Sequence, residues 1–116
     1  NILFINQFPD YKSDKVTGKI NLVVFLGKKL SRWIFLLNVT LTIFFCYLLK
    51  DVFSSKVLNF NEIAFSVIIS ILALYGLFIS LGLFKNYNKR SLVYYNIQTI
   101  YYQIFFCIGI IISFYF

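Results

Sequence analysis

Histidine and methionine are absent from this sequence, cysteine occurs twice, proline once, and carboxylates only four times, as Asp10, Asp14, Asp51 and Glu62. With no histidine to join them, Cys46 and Cys107 make no metal-binding motif; each lies deep inside an apolar run and reads as a small apolar residue. The lack of methionine goes with an opening at Asn1 whose first residues look like the tail of an apolar helix. The chain is therefore expected to be the C-terminal part of something larger. Charge is scarce as well: 13% of the residues carry it, against about 25% in soluble domains. Internal repeats and low-complexity linkers are missing too.

What is plentiful is apolar surface, with 60% hydrophobic and 22% aromatic residues. Three runs, 30–49, 63–84 and 97–116, match the length of about 20 residues that a helix needs to cross the hydrocarbon core. A soluble core would require three successive helices apolar on every face, and so short a chain has too little other material to cover them. None of the runs has the position of a cleaved signal peptide. The expected fold class is all-α, a polytopic transmembrane helix bundle. Residues 1–8 read as the end of a preceding span and 9–29 as a polar loop between spans.

The net charge of +7 is confined to the segments between apolar runs. Lys12, Lys15, Lys19, Lys28, Lys29 and Arg32 precede the first full span; Lys50 and Lys56 follow it; Lys85, Lys89 and Arg90 separate the last two. By the positive-inside rule the first and third segments are cytoplasmic, and the second segment and the C-terminus lie outside. The charge thus reads as topology, with the lipid bilayer as partner and no nucleic acid. An integral protein of the cell (inner) membrane, with the 9–29 segment cytoplasmic, is expected.

Local signals refine this plan. Pro9 lacks an N–H and disfavours helical geometry in the residue before it, which predicts a helix end near Phe8 and a new helical turn from Pro9. If Pro9 to Val16 is helical, Asp10 and Asp14 share one face, and Lys12, Lys15 and Lys19 fall on the other side. Gly18 is placed to end that turn. The stretch from Ile20 to Leu26 is too short to span and either lies at the membrane surface or leads into the next span. Ser31, Arg32 and Trp33 make an interfacial anchor, and Lys50 suits the negative end of the preceding helix. Asn38, Thr42 and Cys46 form a polar stripe, read as helix packing or, for Asn38, as a substrate contact. Asn61 is a candidate helix cap, and Ser66, Ser70, Ala73, Gly76 and Ser80 form a stripe of small residues suited to close packing. Tyr87, Tyr94 and Tyr95 belong at interfacial depth. Gln98, Tyr101, Tyr102 and Gln103 either anchor at the interface or line a cavity mouth.

The acids at Asp10 and Asp14 are half of all those in the chain. Two carboxylates one turn apart at a membrane face suit Mg²⁺, which takes one or two of them and completes its shell with water and phosphate oxygens. An apolar setting points to a lipid diphosphate. The longer string is more specific: Asn6, Pro9-Asp10-Tyr11, Asp14, Gly18-Lys19, Asn21-Leu22-Val23-Val24 and Leu26-Gly27. It resembles the second aspartate-rich motif of the UbiA-type membrane prenyltransferases, over roughly a fifth of the chain.

The resemblance implies the last three spans of a nine-helix prenyltransferase fold with the motif on the cytoplasmic side. It implies that Asp10 and Asp14 are catalytic and hold Mg²⁺ on a prenyl diphosphate. Asn6, Lys15 and Lys19 are then candidates for binding the diphosphate, and Tyr11 either anchors at the interface or bonds to the acceptor. The implied reaction is prenyl transfer to an aromatic acceptor of the quinone-precursor kind, with a lean toward the naphthoate of menaquinone-type biosynthesis. Gln7 stands where near relatives often have an acid, and Ile20-Asn21 where many have Arg-Thr. The family's first aspartate-rich motif has no counterpart here, so the chain is expected to be inactive alone. The alternative reading is a non-catalytic three-span membrane subunit whose acids and lysines serve topology and assembly. A transporter fragment, resting only on the intramembrane polar residues, ranks last.

Overall fold

A computed structural model describes residues 1–56 and 60–115. Among the described residues every regular element is a helix: α1 Ile2–Val16, α2 Leu22–Leu26, α3 Lys28–Lys56, α4 Glu62–Asn86 and α5 Leu92–Tyr115. The last three are long and apolar enough to cross a membrane. The α3 and α4 helices run past both limits set by hydropathy, and α5 begins before the first of its own. Apolar composition marks only the length that lies in hydrocarbon, whereas polar residues at either end continue the same backbone hydrogen bonding. Residues 57–59 of the expected outer loop and residue 116 of the third run lie outside the described residues.

One consequence is that Lys50 does not sit at a helix end. The α3 helix continues to Lys56, and the Lys50 ammonium instead lies 3.8 Å from both Asp51 and Glu62. The Ser54 hydroxyl donates to the same Glu62 carboxylate. As expected, Asn61 caps α4, its side-chain oxygen accepting from the Ala64 N–H at 2.9 Å. Its own N–H donates to the Ser113 carbonyl at 3.0 Å. Phe53, Phe60, Phe65 and Phe114 close this end in a ring cluster with centroids 5.2 to 6.4 Å apart.

The three long helices stand in a row. The central α4 packs on both α3 and α5, which touch each other through the Phe53 and Phe114 rings at one end. Small residues on α4 allow the approach from both sides. A Cβ at Gly76 would lie 2.6 Å from the Val39 side chain of α3 and 3.4 Å from the Tyr102 ring of α5. Gly76 and Ser80 of the expected small-residue stripe are buried, while Ser70 is exposed and lies 2.7 Å from the Tyr47 hydroxyl of α3. Polar groups inside spans need partners from neighbouring helices, because lipid supplies none. Gln98 meets that need: its side-chain oxygen accepts from the Tyr75 hydroxyl at 2.5 Å, tying α4 to α5. Tyr75→Phe should cost about 1 kcal/mol, within the range of interhelical bonds in membranes. Unfolding the two proteins by denaturant titration in micelles checks this, and equal midpoints would remove the bond from the account.

The α1 helix packs against α3 and α5, burying Phe4, Ile5 and Phe8. It runs unbroken through Pro9, contrary to the helix end expected near Phe8. An interior proline costs about 3 kcal/mol, whereas a fully buried Phe or Ile side chain returns about 1.5–3 kcal/mol each. Burial of that trio therefore outweighs the proline, whose ring is itself exposed. The segment 9–29 is accordingly the second half of α1, a turn, the short α2 and the first two residues of α3.

Candidate functional site

The site is built at the joint between α1 and α2. The α1 helix stops at Val16, where the Thr17 hydroxyl turns back onto the Ser13 and Asp14 carbonyls at 3.0 and 3.2 Å. Gly18 follows at φ +72°, a left-handed conformation that glycine adopts without a Cβ penalty, and the chain reverses as its position predicted. Lys19 then donates its backbone N–H to the Asp14 carbonyl at 2.9 Å. Asn21 opens α2 as its N-cap, accepting from the Val24 N–H at 2.8 Å. The amide nitrogen of the same side chain donates to the Asp14 carboxylate at 2.6 Å. From the preceding turns of α1, the Gln7 side-chain oxygen accepts from the Val23 N–H at 3.2 Å. Two side chains of α1 therefore clasp the first turn of α2, and Val23 is buried beneath them.

The expected site residues fall into two groups. Asn6 and Asp10 are exposed on α1 one turn apart, while Asp14, one turn further, is buried. Lys19 was expected on the side away from the acids, yet its ammonium lies 3.6 Å from the Asp14 carboxylate. Helical periodicity does not extend to it, because the helix has ended and the Gly18 turn folds it back. Lys15 is exposed, its ammonium 6.0 Å from the centre of the Tyr11 ring. The structure thus brings Asp14 and Lys19 together and leaves Asn6, Asp10 and Lys15 open. Tyr11 is half-buried against the core, and the Lys28 ammonium also lies over its ring at 5.5 Å.

Contacts between distant parts of the chain gather the cationic segments at this end. Lys28 donates to the Tyr87 carbonyl at 3.3 Å. The Arg32 guanidinium donates to the Phe84 carbonyl at 3.5 Å and lies between the Phe84 and Tyr87 rings, at 4.8 and 4.7 Å. Trp33 meets Phe84 edge-on at 4.7 Å. The two segments with most of the lysines and arginines, separated by two spans in sequence, therefore share one end of the row. Further along the spans, an open groove of about 400 Å³ is lined by Asn38, Thr42, Tyr102 and Gln103 with the start of α1. Asn38 and Thr42 of the expected polar stripe face this groove rather than a helix interface.

Fit to Mg²⁺ is decided by the donors. Among the described residues no three carboxylate, cysteine or histidine side chains converge. Asp10 offers an open carboxylate. Asp14 offers oxygens that already accept from Asn21 and lie beside Lys19, and each keeps a second lone pair. Two carboxylates could supply only part of the shell of a Mg²⁺ ion whose remaining ligands come from phosphate and water, and the described residues make no closed protein cage.

Asn21 and Gln7 are the residues to which sequence reasoning assigned no role, Asn21 being quoted within the motif string and both standing as departures from a family pattern. Asn21 had a legible signal, an N-cap residue directly before the apolar run Leu-Val-Val-Phe-Leu. Gln7 had none, since its partner is sixteen residues away. Comparison of the chain with protein-family models, with characterised proteins and with solved structures gives no match.

Proposed function

We propose that this chain supplies one half of the metal and diphosphate site of a membrane prenyltransferase. The observation that carries the reading is the string from Asn6 to Gly27. Its two acids lie one turn apart on α1, at the end of the row where the cations gather. In the proposed reaction the allylic C–O bond of a prenyl diphosphate breaks as a ring carbon of an aromatic acceptor bonds to the allylic carbon, and the ring proton is lost. Asp10 and Asp14 would hold Mg²⁺. When bound, the ion supplies charge stabilisation to the departing diphosphate. Lys15 and Lys19 have the charge and reach to hold phosphate oxygens, and Asn6 the position to orient the Asp10 carboxylate. The apolar exterior of the row provides a path for the prenyl chain. A second aspartate-bearing segment would complete the site, so no transfer is expected from this chain alone. The naphthoate-like acceptor and the cytoplasmic placement of the joint belong to the same proposal.

A second reading is favoured by one observation: Asp14 is buried and bonded to Asn21, as a purely structural carboxylate would be. In a non-catalytic membrane subunit that role would be its whole purpose. Asp10 separates the two, because it is exposed on α1 and its loss leaves the α1–α2 clasp intact. Asp10→Asn is expected to weaken Mg²⁺-dependent binding of geranyl diphosphate by about tenfold or more, the scale of a lost charge-assisted contact of about 1.5 kcal/mol. Titration of purified chain with and without the metal reads this out. Binding that is independent of Mg²⁺, or untouched by the substitution, would sink the transferase reading.

A further inference from the structure

Between the α4–α5 turn and the side of α1 that bears Pro9 and Lys12 lies a pocket of about 280 Å³. Lys12, Lys28, Lys89 and Arg90 line it, from three separate stretches of the chain, and no carboxylate does. Among the described residues none of these four cations is in an ion pair. Lys28 is held in place by the Tyr87 carbonyl and the Tyr11 ring. Like charges around so small a volume repel one another, and an oxyanion among them turns that repulsion into several charge-assisted bonds. At about 100° per residue Lys12 points to the side of α1 away from Asp10 and Asp14, so this pocket is separate from the candidate metal site.

Depth and surroundings identify the anion. Lys28 and Leu92 are the first residues of α3 and α5, two helices able to span a membrane, and the ends of such helices lie at the level of the lipid headgroups. Leu92 and Val93 form the apolar side of the pocket. From Val93 an exposed apolar stripe continues along the outer face of α5 through Ile97, Ile100 and Ile104. A soluble phosphate would make no use of that stripe, whereas an acyl chain would lie on it. We propose that the pocket holds the phosphate of an anionic glycerophospholipid, with an acyl chain along the outer face of α5. The inference is independent of the transferase reading.

The full chain in mild detergent, offered phosphatidylglycerol or phosphatidylcholine and examined by native mass spectrometry, tests it. Phosphatidylglycerol should be retained in preference to the zwitterionic lipid. Lys89→Gln with Arg90→Gln should weaken its retention about twenty-five-fold, a factor of about five for each cation near an anionic headgroup. Both residues are exposed in the turn, so the helices should stay intact. Lys12→Gln, on another element, should weaken it about fivefold. The control pair Lys29→Gln with Lys85→Gln, exposed lysines that do not line the pocket, should change it less than threefold. Equal retention of the two lipids, or equal loss in pocket and control pairs, would overturn the proposal. So would displacement of the lipid by millimolar inorganic phosphate or pyrophosphate, which would assign the pocket to a soluble anion.

Discussion

Asp14→Ala is expected to release α2 from α1 while the three long helices stay assembled. The substitution removes a buried acceptor and leaves the Asn21 amide nitrogen without its 2.6 Å partner. A hydrogen bond to a charged group contributes about 1.5–3 kcal/mol, and an orphaned donor adds its own desolvation cost. The loss is local, since the row of α3, α4 and α5 is held by contacts that do not involve Asp14. Hydrogen exchange should therefore quicken at the Val23 and Val24 amides, by one to two orders of magnitude for about 1.5–3 kcal/mol, with no matching change in α4. Asp14→Asn behaves differently. It keeps an oxygen for Asn21 and loses only the pairing with Lys19, whose side chain is 69% exposed and whose contribution is correspondingly about 0–1 kcal/mol. If the proposed function holds, Asp14→Asn nonetheless weakens Mg²⁺-dependent diphosphate binding, because an amide is a poor ligand for a hard cation. A clasp role alone predicts damage from alanine and tolerance of asparagine. Unchanged exchange at Val23 and Val24 in Asp14→Ala would show that the clasp does not hold α2.

The other large effect lies at Gly82, where any side chain on α4 would collide with the Tyr95 ring of α5. Three ring atoms of Tyr95 occupy the space that a Cβ needs. Relief requires either that Tyr95 swing away or that α5 move off α4. The first sacrifices the Tyr95 ring contacts with Phe78 and Tyr94, at centroid distances of 6.0 and 5.2 Å. Aromatic pairs contribute about 0.5–1.5 kcal/mol each, and overpacking adds about 1–3 kcal/mol. Gly82→Leu should accordingly destabilise the protein by about 3 kcal/mol, read as a lower denaturant midpoint in micelles. Truncating the obstructing ring provides the check: Tyr95→Ala combined with Gly82→Leu should be less damaging than the sum of the two single changes. Strict additivity would mean that the two residues do not meet.

Sixty per cent hydrophobic composition and three long apolar runs were enough to establish helices able to span a membrane, because bilayer thickness sets their length whatever the fold. The turn at Gly18 and the cap at Asn61 were legible for a similar reason, since each depends on backbone conformation within a few residues. Pro9 was misread because local propensity argued for a break, while the burial of Phe4, Ile5 and Phe8 that overrides it involves α3 and α5. Lys19 was misplaced because a helical wheel has no meaning beyond the residue at which the helix stops.

The candidate site divides along the same line. Asp10, Asp14 and their spacing on one helix face are properties of the sequence alone, as is the confinement of cations to the segments between spans. Tertiary structure alone decided that Asp14 turns inward to Asn21 while Asp10 stays open, and that Lys12 and Lys28 meet Lys89 and Arg90 around one pocket. The physical reason is range: hydrophobic length and backbone turns are set by neighbouring residues, whereas burial and charge clustering depend on which helices pack together, and sequence spacing carries no record of that.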